Sequence, residues 1–286
     1  MGTSISKWCK DPFGFGNTEI AKKFAKFEPI PNLTGLKVAI TGANSGIGLA
    51  AAKRLAENGA NVILLCRDIG KAKAARELIK GDVSITEVDM TNFESISNLK
   101  LPDVDMLIHN AGAMFNTQEN VIWPTGKLDQ TFALHVAGPY LLSSKVNAKY
   151  TIWVSSGGMY SVKLNVEKTI NPNLKKFDGM DAYARCKRAQ VVIARRLGHQ
   201  SMHPGWSETP GVRSAMPEFS KKVGDIFRTS DEGADTIVWL AAKRPKELGF
   251  WFDRERVTEF KVPFTSHNVE EEELLIKELN RVTGKN

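Results

Sequence analysis

The stretch from residue 37 to residue 48 reads Lys-Val-Ala-Ile-Thr-Gly-Ala-Asn-Ser-Gly-Ile-Gly, an apolar run leading into glycines at positions 42, 46 and 48. A short apolar run without polar alternation is the pattern of a strand buried on both faces. Directly after it, Ile47, Ala51 and Leu55 recur at helical spacing, and Asn58-Gly59 offers a C-terminal cap. Strand, glycine turn and helix in that order form an anion cradle. Glycines let the backbone turn sharply and approach a phosphate closely, and the first amides of the helix point at it. The spacing is Gly-x-x-x-Gly-x-Gly, not the Gly-x-Gly-x-x-Gly of most dinucleotide folds, and a glycine-rich turn also serves purely structural ends.

Working outward, further apolar runs at Asn61 to Cys66, Ser84 to Val88, Met106 to His109 and Tyr150 to Ser155 alternate with amphipathic stretches. That alternation predicts an α/β fold, a doubly wound parallel sheet in a single domain. The 286 residues contain 42 % apolar and 25 % charged residues, which suits one folded domain and argues against disorder or a repeat protein. The net charge of +7, from 39 basic and 32 acidic residues, is modest and scattered, so no nucleic-acid groove is expected. No apolar stretch is long enough to span a bilayer, and the first ten residues lack the apolar core of a secretory signal. The three cysteines (Cys9, Cys66, Cys186) cannot all pair. A reducing, cytoplasmic setting is therefore expected, and no metal site is read.

The tails read differently from the body. Ile20, Phe24 and Phe27 share a helical face while Lys22, Lys23 and Lys26 fall elsewhere, so residues 17–28 are a candidate for peripheral membrane contact or for packing on the domain. At the other end, Val269 to Val282 predicts a surface helix with Leu275, Leu279 and Val282 on one face and Glu273 spaced to pair with Lys277. The expected division is residues 1–34 as an extension, 35–265 as the α/β domain and 266–286 as the terminal helix.

The second strand ends in Cys66-Arg67-Asp68. A carboxylate at such a strand end binds the adenosine ribose hydroxyls of NAD(H), whereas a cation favours the 2′-phosphate of NADP(H). Cys66 stands where the acid is expected and Arg67 follows, which favours NADP(H); the alternative is an ordinary surface arginine. Asp89, followed by Met90, is a candidate partner for the adenine amino group, or else a turn or N-cap residue before Phe93. Farther on, Tyr183 and Lys187 lie one helical turn apart. A free phenol has a pKa near 10, and a neighbouring ammonium favours the phenolate. Ser155-Ser156-Gly157-Gly158 closes the fifth run, where open α/β sheets bind ligands.

Glycine turn, strand-end serine and Tyr–Lys helix in that order resemble the short-chain dehydrogenase/reductase family over nearly the whole chain. The resemblance implies a Rossmann-type sheet of order 3-2-1-4-5-6-7. It also implies cofactor contacts at Gly42, Asn44, Ser45, Gly46, Ile47 and Gly48, a sheet-stabilising motif at Asn110-Ala111-Gly112, and cofactor contacts at Pro204, Gly205 and Thr209. Ser156, Tyr183 and Lys187 match the catalytic residues, and Tyr183 and Lys187 also face the cofactor. The implied activity is hydride transfer between NADP(H) and a carbonyl or alcohol. Met159, Tyr160, Trp206, Met216 and Phe219 then suggest a small apolar substrate, or else a packed lid. Relatives often self-associate through the two long helices flanking the fourth and fifth strands, which implies a homo-oligomer.

Two departures stand out. His135 occupies the place of the family's fourth catalytic residue, an asparagine that anchors a water linking the lysine to solvent. Only Gly198 to His203 separate the Tyr–Lys helix from Pro204, so the sixth strand should be stubby and its sheet edge weak. The alternative reading that follows is a catalytically silent dinucleotide-binding protein, acting as a sensor or partner.

Overall fold

The computed structural model describes residues 29–172, 177–207 and 228–285. The basic segment 17–28, Cys9, Thr209, Met216 and Phe219 lie outside them. The first βα unit is β1 (Lys37–Thr41) and α1 (Gly46–Glu57). Then follow β2 (Asn61–Cys66), α2 (Ile69–Arg76), β3 (Val83–Glu87), α3 (Phe93–Ser97) and β4 (Val104–His109). A hairpin of β5 (Asn120–Trp123) and β6 (Gly126–Asp129) precedes α4, which is built of Gln130–Phe132, a π-helical turn Ala133–Ala137 and Gly138–Lys145. After β7 (Ala148–Val154) and α5 (Val166–Ile170) runs the long α6 (Gly179–Arg196), then β8 (Gln200–Met202). The chain ends with α7 (Ser230–Lys243), β9 (Phe250–Phe252), β10 (Glu255–Val257) and α8 (Val269–Thr283).

Eight strands form one sheet in the order β10-β9-β8-β7-β4-β1-β2-β3. Setting the separate β5–β6 hairpin aside, the seven parallel strands keep the expected doubly wound order. The sequence reading missed that hairpin and the antiparallel edge strand β10. β1 lies at the centre, with Val38 between Val62 of β2 and Met106 of β4. Its side chains are buried from Val38 to Thr41 because helices cover both faces. On one face, Leu55 of α1 and Ile237 and Leu240 of α7 close over β1 and β2; on the other, Phe132, Leu142, Val192 and Ile193 of α4 and α6 do so.

α8 is more than a surface helix: Leu275, Leu279 and Val282 are fully buried and belong to the α4–α6 side of the core. Tyr140 Oη donates to Asn280 Oδ1 at 2.7 Å and Arg195 Nη2 to Glu272 Oε1 at 2.6 Å, so α8 is tied to both long helices. Glu273 reaches across to Arg196, 3.9 Å away, instead of along its own helix to Lys277. No helix among the described residues is long and apolar enough to cross a membrane.

The stubby sixth strand is β8, three residues long. Its edge is braced by Gln200, whose Nε2 donates to the carbonyls of Pro245 and Glu247 (3.1 and 3.0 Å) and whose Oε1 accepts from Gly249 N and Trp251 Nε1 (3.0 and 2.8 Å). One buried side chain thus replaces part of the ladder that a longer strand would provide.

Candidate active site

The C-terminal ends of β1, β4, β7 and β8 meet along one edge of the sheet, where a doubly wound fold binds its ligand. Gly42 and Gly46 have φ of +65° and +54°, the left-handed region that favours glycine. A side chain at Gly42 would stand 2.8 Å from Ala111 Cα, and one at Gly48 would collide with the Asn110 amide. The turn after β1 is therefore pressed against the loop after β4. Asn110 Nδ2 donates to Thr41 O and Gly42 O (3.0 and 3.3 Å), and the amides of Asn110 and Ala111 both donate to Thr41 Oγ1 at 2.9 Å. Thr41, which the sequence reading placed at the end of the first strand and the start of the glycine motif without a role of its own, is the other half of this tie.

At the start of α1, Ser45 makes no side-chain cap and the first turn holds no acid. Its orphan amides and dipole are thus uncovered by the protein's own carboxylates, which fits a pyrophosphate there. Asn44 and Ile47 flank this turn half-buried. On the far side, Gly205 (φ +73°) follows Pro204, and Ser207 Oγ donates to Pro204 O at 3.2 Å. Ser207 packs against Gly233 of α7, beside Ile47, so the loop after β8 is brought to the glycine turn.

Arg67 extends from the end of β2, 69 % exposed, with Nη1 4.0 Å from Asp89 Oδ2. Cys66 is buried, and burial raises its pKa although the amides of Ala43 and Asn44 hydrogen-bond it. Asp89 is a turn residue: Oδ1 accepts from Thr91 N and Oγ1 (2.8 and 2.7 Å), while the N-cap before Phe93 is Asn92. Met90 is buried, and its carbonyl sits against Gly138 so closely that no side chain fits there.

The two serines after β7 part company. Ser155 Oγ is buried and donates to Lys187 O at 2.8 Å, fastening α6 to the strand end. Ser156 Oγ accepts from Gly158 N at 3.2 Å, and its hydroxyl is the neighbour that favours ionisation of the Tyr183 phenol. Around Tyr183, the His135 ring stands edge-on at 5.2 Å and Lys187 Nζ lies 5.4 Å from the ring centroid. Lys187 is buried, with Nζ donating to Val154 O and Gln190 Oε1 (2.9 and 3.1 Å). Gly112 adjoins both groups, a side chain there reaching to 2.7 Å of His135 Cε1.

Burial governs the electrostatics here. It pushes the Tyr183 phenol up to about 12, against the lowering effect of the neighbouring Ser156 hydroxyl. The expected depression of the phenol by Lys187 is thus reversed: the ammonium is turned toward two carbonyls, and desolvation of the phenolate dominates. Burial takes Lys187 down to about 7 and His135 to about 3, the latter aided by Lys187. At neutral pH the cluster holds an intact phenol, which can donate a proton, and a neutral imidazole. The His135 side chain hydrogen-bonds Ala113 O at 2.8 Å through Nε2, while its backbone carbonyl accepts from Gln190 Nε2 at 2.7 Å.

Two residues expected to face a substrate do not. Met159 and Tyr160 are fully buried with Val191 and Phe250, and Tyr160 Oη donates to Thr258 O at 2.5 Å. They follow Ser156 on a 3-10 turn (Gly157–Ser161) that dives under α6 instead of lining the edge.

The profile of the short chain dehydrogenase family matches residues 37–163. The chain is 36 % identical over 296 residues to human dehydrogenase/reductase SDR family member 12, a match covering 93 % of this chain and 92 % of that protein. A solved structure of an uncharacterised protein from Mycobacterium paratuberculosis superposes with a TM-score of 0.73 at 22 % identity, covering 90 % of this chain and 96 % of the other. The 3-ketoacyl-(acyl-carrier-protein) reductase of Brucella melitensis, solved with NADH, gives a TM-score of 0.58 at 21 % identity over 76 % of this chain and 96 % of that one. Both structures share the fold of this chain.

Proposed function

The chain belongs to the short-chain dehydrogenase/reductase family of nicotinamide-dependent oxidoreductases, and from that premise we propose that it reduces a carbonyl to an alcohol with NADPH, Tyr183 serving as the proton donor. The observation that carries this reading is the convergence of Ser156, the Tyr183 phenol and buried Lys187, whose Nζ lies 5.4 Å from the Tyr183 ring centroid, at the sheet edge that holds the glycine turn. When bound, the dinucleotide supplies the hydride.

The chain's own residues do the rest. The amides opening α1 and the tight turn at Gly42, Gly46 and Gly48 bind the pyrophosphate. Arg67 takes the 2′-phosphate, and the neutral Cys66 thiol beside it adds no opposing charge. Gly158 N occupies a lone pair of Ser156 Oγ, which leaves the serine hydroxyl to orient the substrate oxygen. The half-buried Tyr183 phenol gives that oxygen its proton. Lys187 donates to the nicotinamide ribose. Trp206 packs against the inward cluster of Met159 and Tyr160, so the apolar substrate side rests on Met216 and Phe219 of the sequence beyond it.

The test is to titrate the purified chain with NADPH and NADH by thermal stabilisation, then to screen carbonyls by NADPH oxidation, setting aliphatic and polycyclic ketones and aldehydes against sugar-like ones. NADPH is expected to bind more tightly. Tyr183→Phe is expected to lower turnover by about 10²–10⁴-fold, the usual contribution of a general acid, with NADPH affinity little changed. Retained turnover in Tyr183→Phe removes the proton-transfer assignment. Saturable NADPH binding with no carbonyl turned over favours a silent dinucleotide-binding protein.

A further inference from the structure

Seven residues beyond Tyr183 and three beyond Lys187, α6 carries Gln190 on the same helical face, 1 % exposed. Its partner on α4 exists because of a proline. Pro139 stands four residues after His135, so the His135 carbonyl lacks the N–H that an α-helix would bring to it. The helix responds with the π turn Ala133–Ala137, in which Gly138 N bonds back to Ala133 O. The carbonyl left over accepts from Gln190 Nε2 at 2.7 Å, and Gln190 Oε1 accepts from Lys187 Nζ at 3.1 Å.

The amide can sit only one way round. A carbonyl requires a donor and an ammonium requires an acceptor, so Nε2 must face His135 and Oε1 must face Lys187. Lys187 Nζ has its other acceptor in Val154 O, a backbone atom of β7. Both carbonyls are held by secondary structure, which leaves the third N–H of the ammonium with a fixed direction.

We propose that Gln190 is a positioning residue for Lys187, a strut between the carbonyl freed by Pro139 and the ammonium, that fixes where Lys187 points. This rests on the reading of Tyr183 and Lys187 as the reacting pair and adds a residue to it. The strut holds and does not relay: it ends on a carbonyl, which has no proton to pass on. The path toward solvent expected behind the lysine is filled by a side chain.

The charge state of Lys187 depends on this acceptor. The groups facing the ammonium are the Cys186 thiol and the Tyr183 phenol on α6, the neutral His135 ring on α4 and the Gly112 backbone after β4, none of them an anion at neutral pH. Burial draws the lysine toward neutrality, and the oxygens of Val154 and Gln190 are the acceptors that its Nζ meets.

The test follows the Lys187 ammonium by 15N NMR of the lysine-labelled full chain without cofactor, its resonance assigned by loss in Lys187→Met. Gln190→Met, similar in length but without the amide, is expected to lower the titration midpoint by about one pH unit, a tenfold loss of proton affinity. Gln190→Glu, which keeps an acceptor and adds charge, is expected to raise it by as much or more. A packing role alone moves the midpoint the same way in both variants or in neither, and either result overturns the proposal. If Gln190→Met does not fold, Gln190→Glu decides: an unmoved midpoint overturns it. Failure here leaves the Tyr183→Phe result intact, so the two readings fall separately.

Discussion

Arg67 leaves β2 with its side chain largely in solvent, 4.0 Å from a single Asp89 oxygen. An exposed pair at that distance contributes little, so the guanidinium is free to bind a phosphate at small cost. Arg67→Asp is accordingly expected to shift the NADPH-to-NADH affinity ratio toward NADH by about tenfold or more, since each 1.4 kcal/mol is a factor of ten; an unchanged ratio in the same titration removes the 2′-phosphate contact. Residues such as Tyr183 and Lys187 were legible in the sequence because helical spacing alone puts them side by side. Ser156 was told from Ser155 there only by the family resemblance, because the physical choice at a strand end is made by which hydroxyl meets the Lys187 carbonyl. Gln190 was invisible for a stronger reason: its partner is a carbonyl freed by a proline on another helix.

At the scale of elements, β8 shows how a shortened strand is kept in place. Its three residues offer few ladder bonds, and the buried Gln200 amide makes four further bonds to the segment leading into β9. Gln200→Leu removes all four bonds and leaves the buried Trp251 N–H without its partner, at about 1–3 kcal/mol for an unsatisfied group. The expected result is a urea midpoint lowered by that order, with exchange of β9 amides accelerated first. A variant as stable as the parent shows that the edge is held by packing alone. The long helix after the hairpin carries the same lesson in reverse. Pro139 removes one backbone donor, yet the helix passes through it by widening to a π turn, and the adjoining Gly138 presses against the Met90 carbonyl where no side chain would fit.

Across the whole molecule, all five histidines are held below their ordinary pKa. Burial takes His135 to about 3 and His199 to about 4, and it lowers His109, His203 and His267 as well. In the unfolded chain they titrate near 6.5. Below that pH the unfolded state binds protons that the folded state refuses, so stability present above about 6.5 is lost as pH falls toward the folded values. Lys187, about 7 when folded against 10.5 when free, acts on the other side: its cost is full below 7 and fades as pH rises toward 10. Maximum stability is therefore expected on the alkaline side of neutral. From pH 7 to pH 5, each fully buried histidine is expected to cost about 1–2 kcal/mol. Urea midpoints across pH 5–9 check this, and a flat profile contradicts it. What the sequence determined by itself was the doubly wound sheet, the glycine turn and the pairing of Tyr183 with Lys187, because each rests on local periodicity or on neighbours within one βα unit or one helix. The tertiary structure alone decided the direction of the pKa shifts, the inward turn of Met159 and Tyr160, the core role of α8 and the strut at Gln190. Those depend on which distant backbone atom or apolar surface lies opposite, and desolvation is a property of the finished packing.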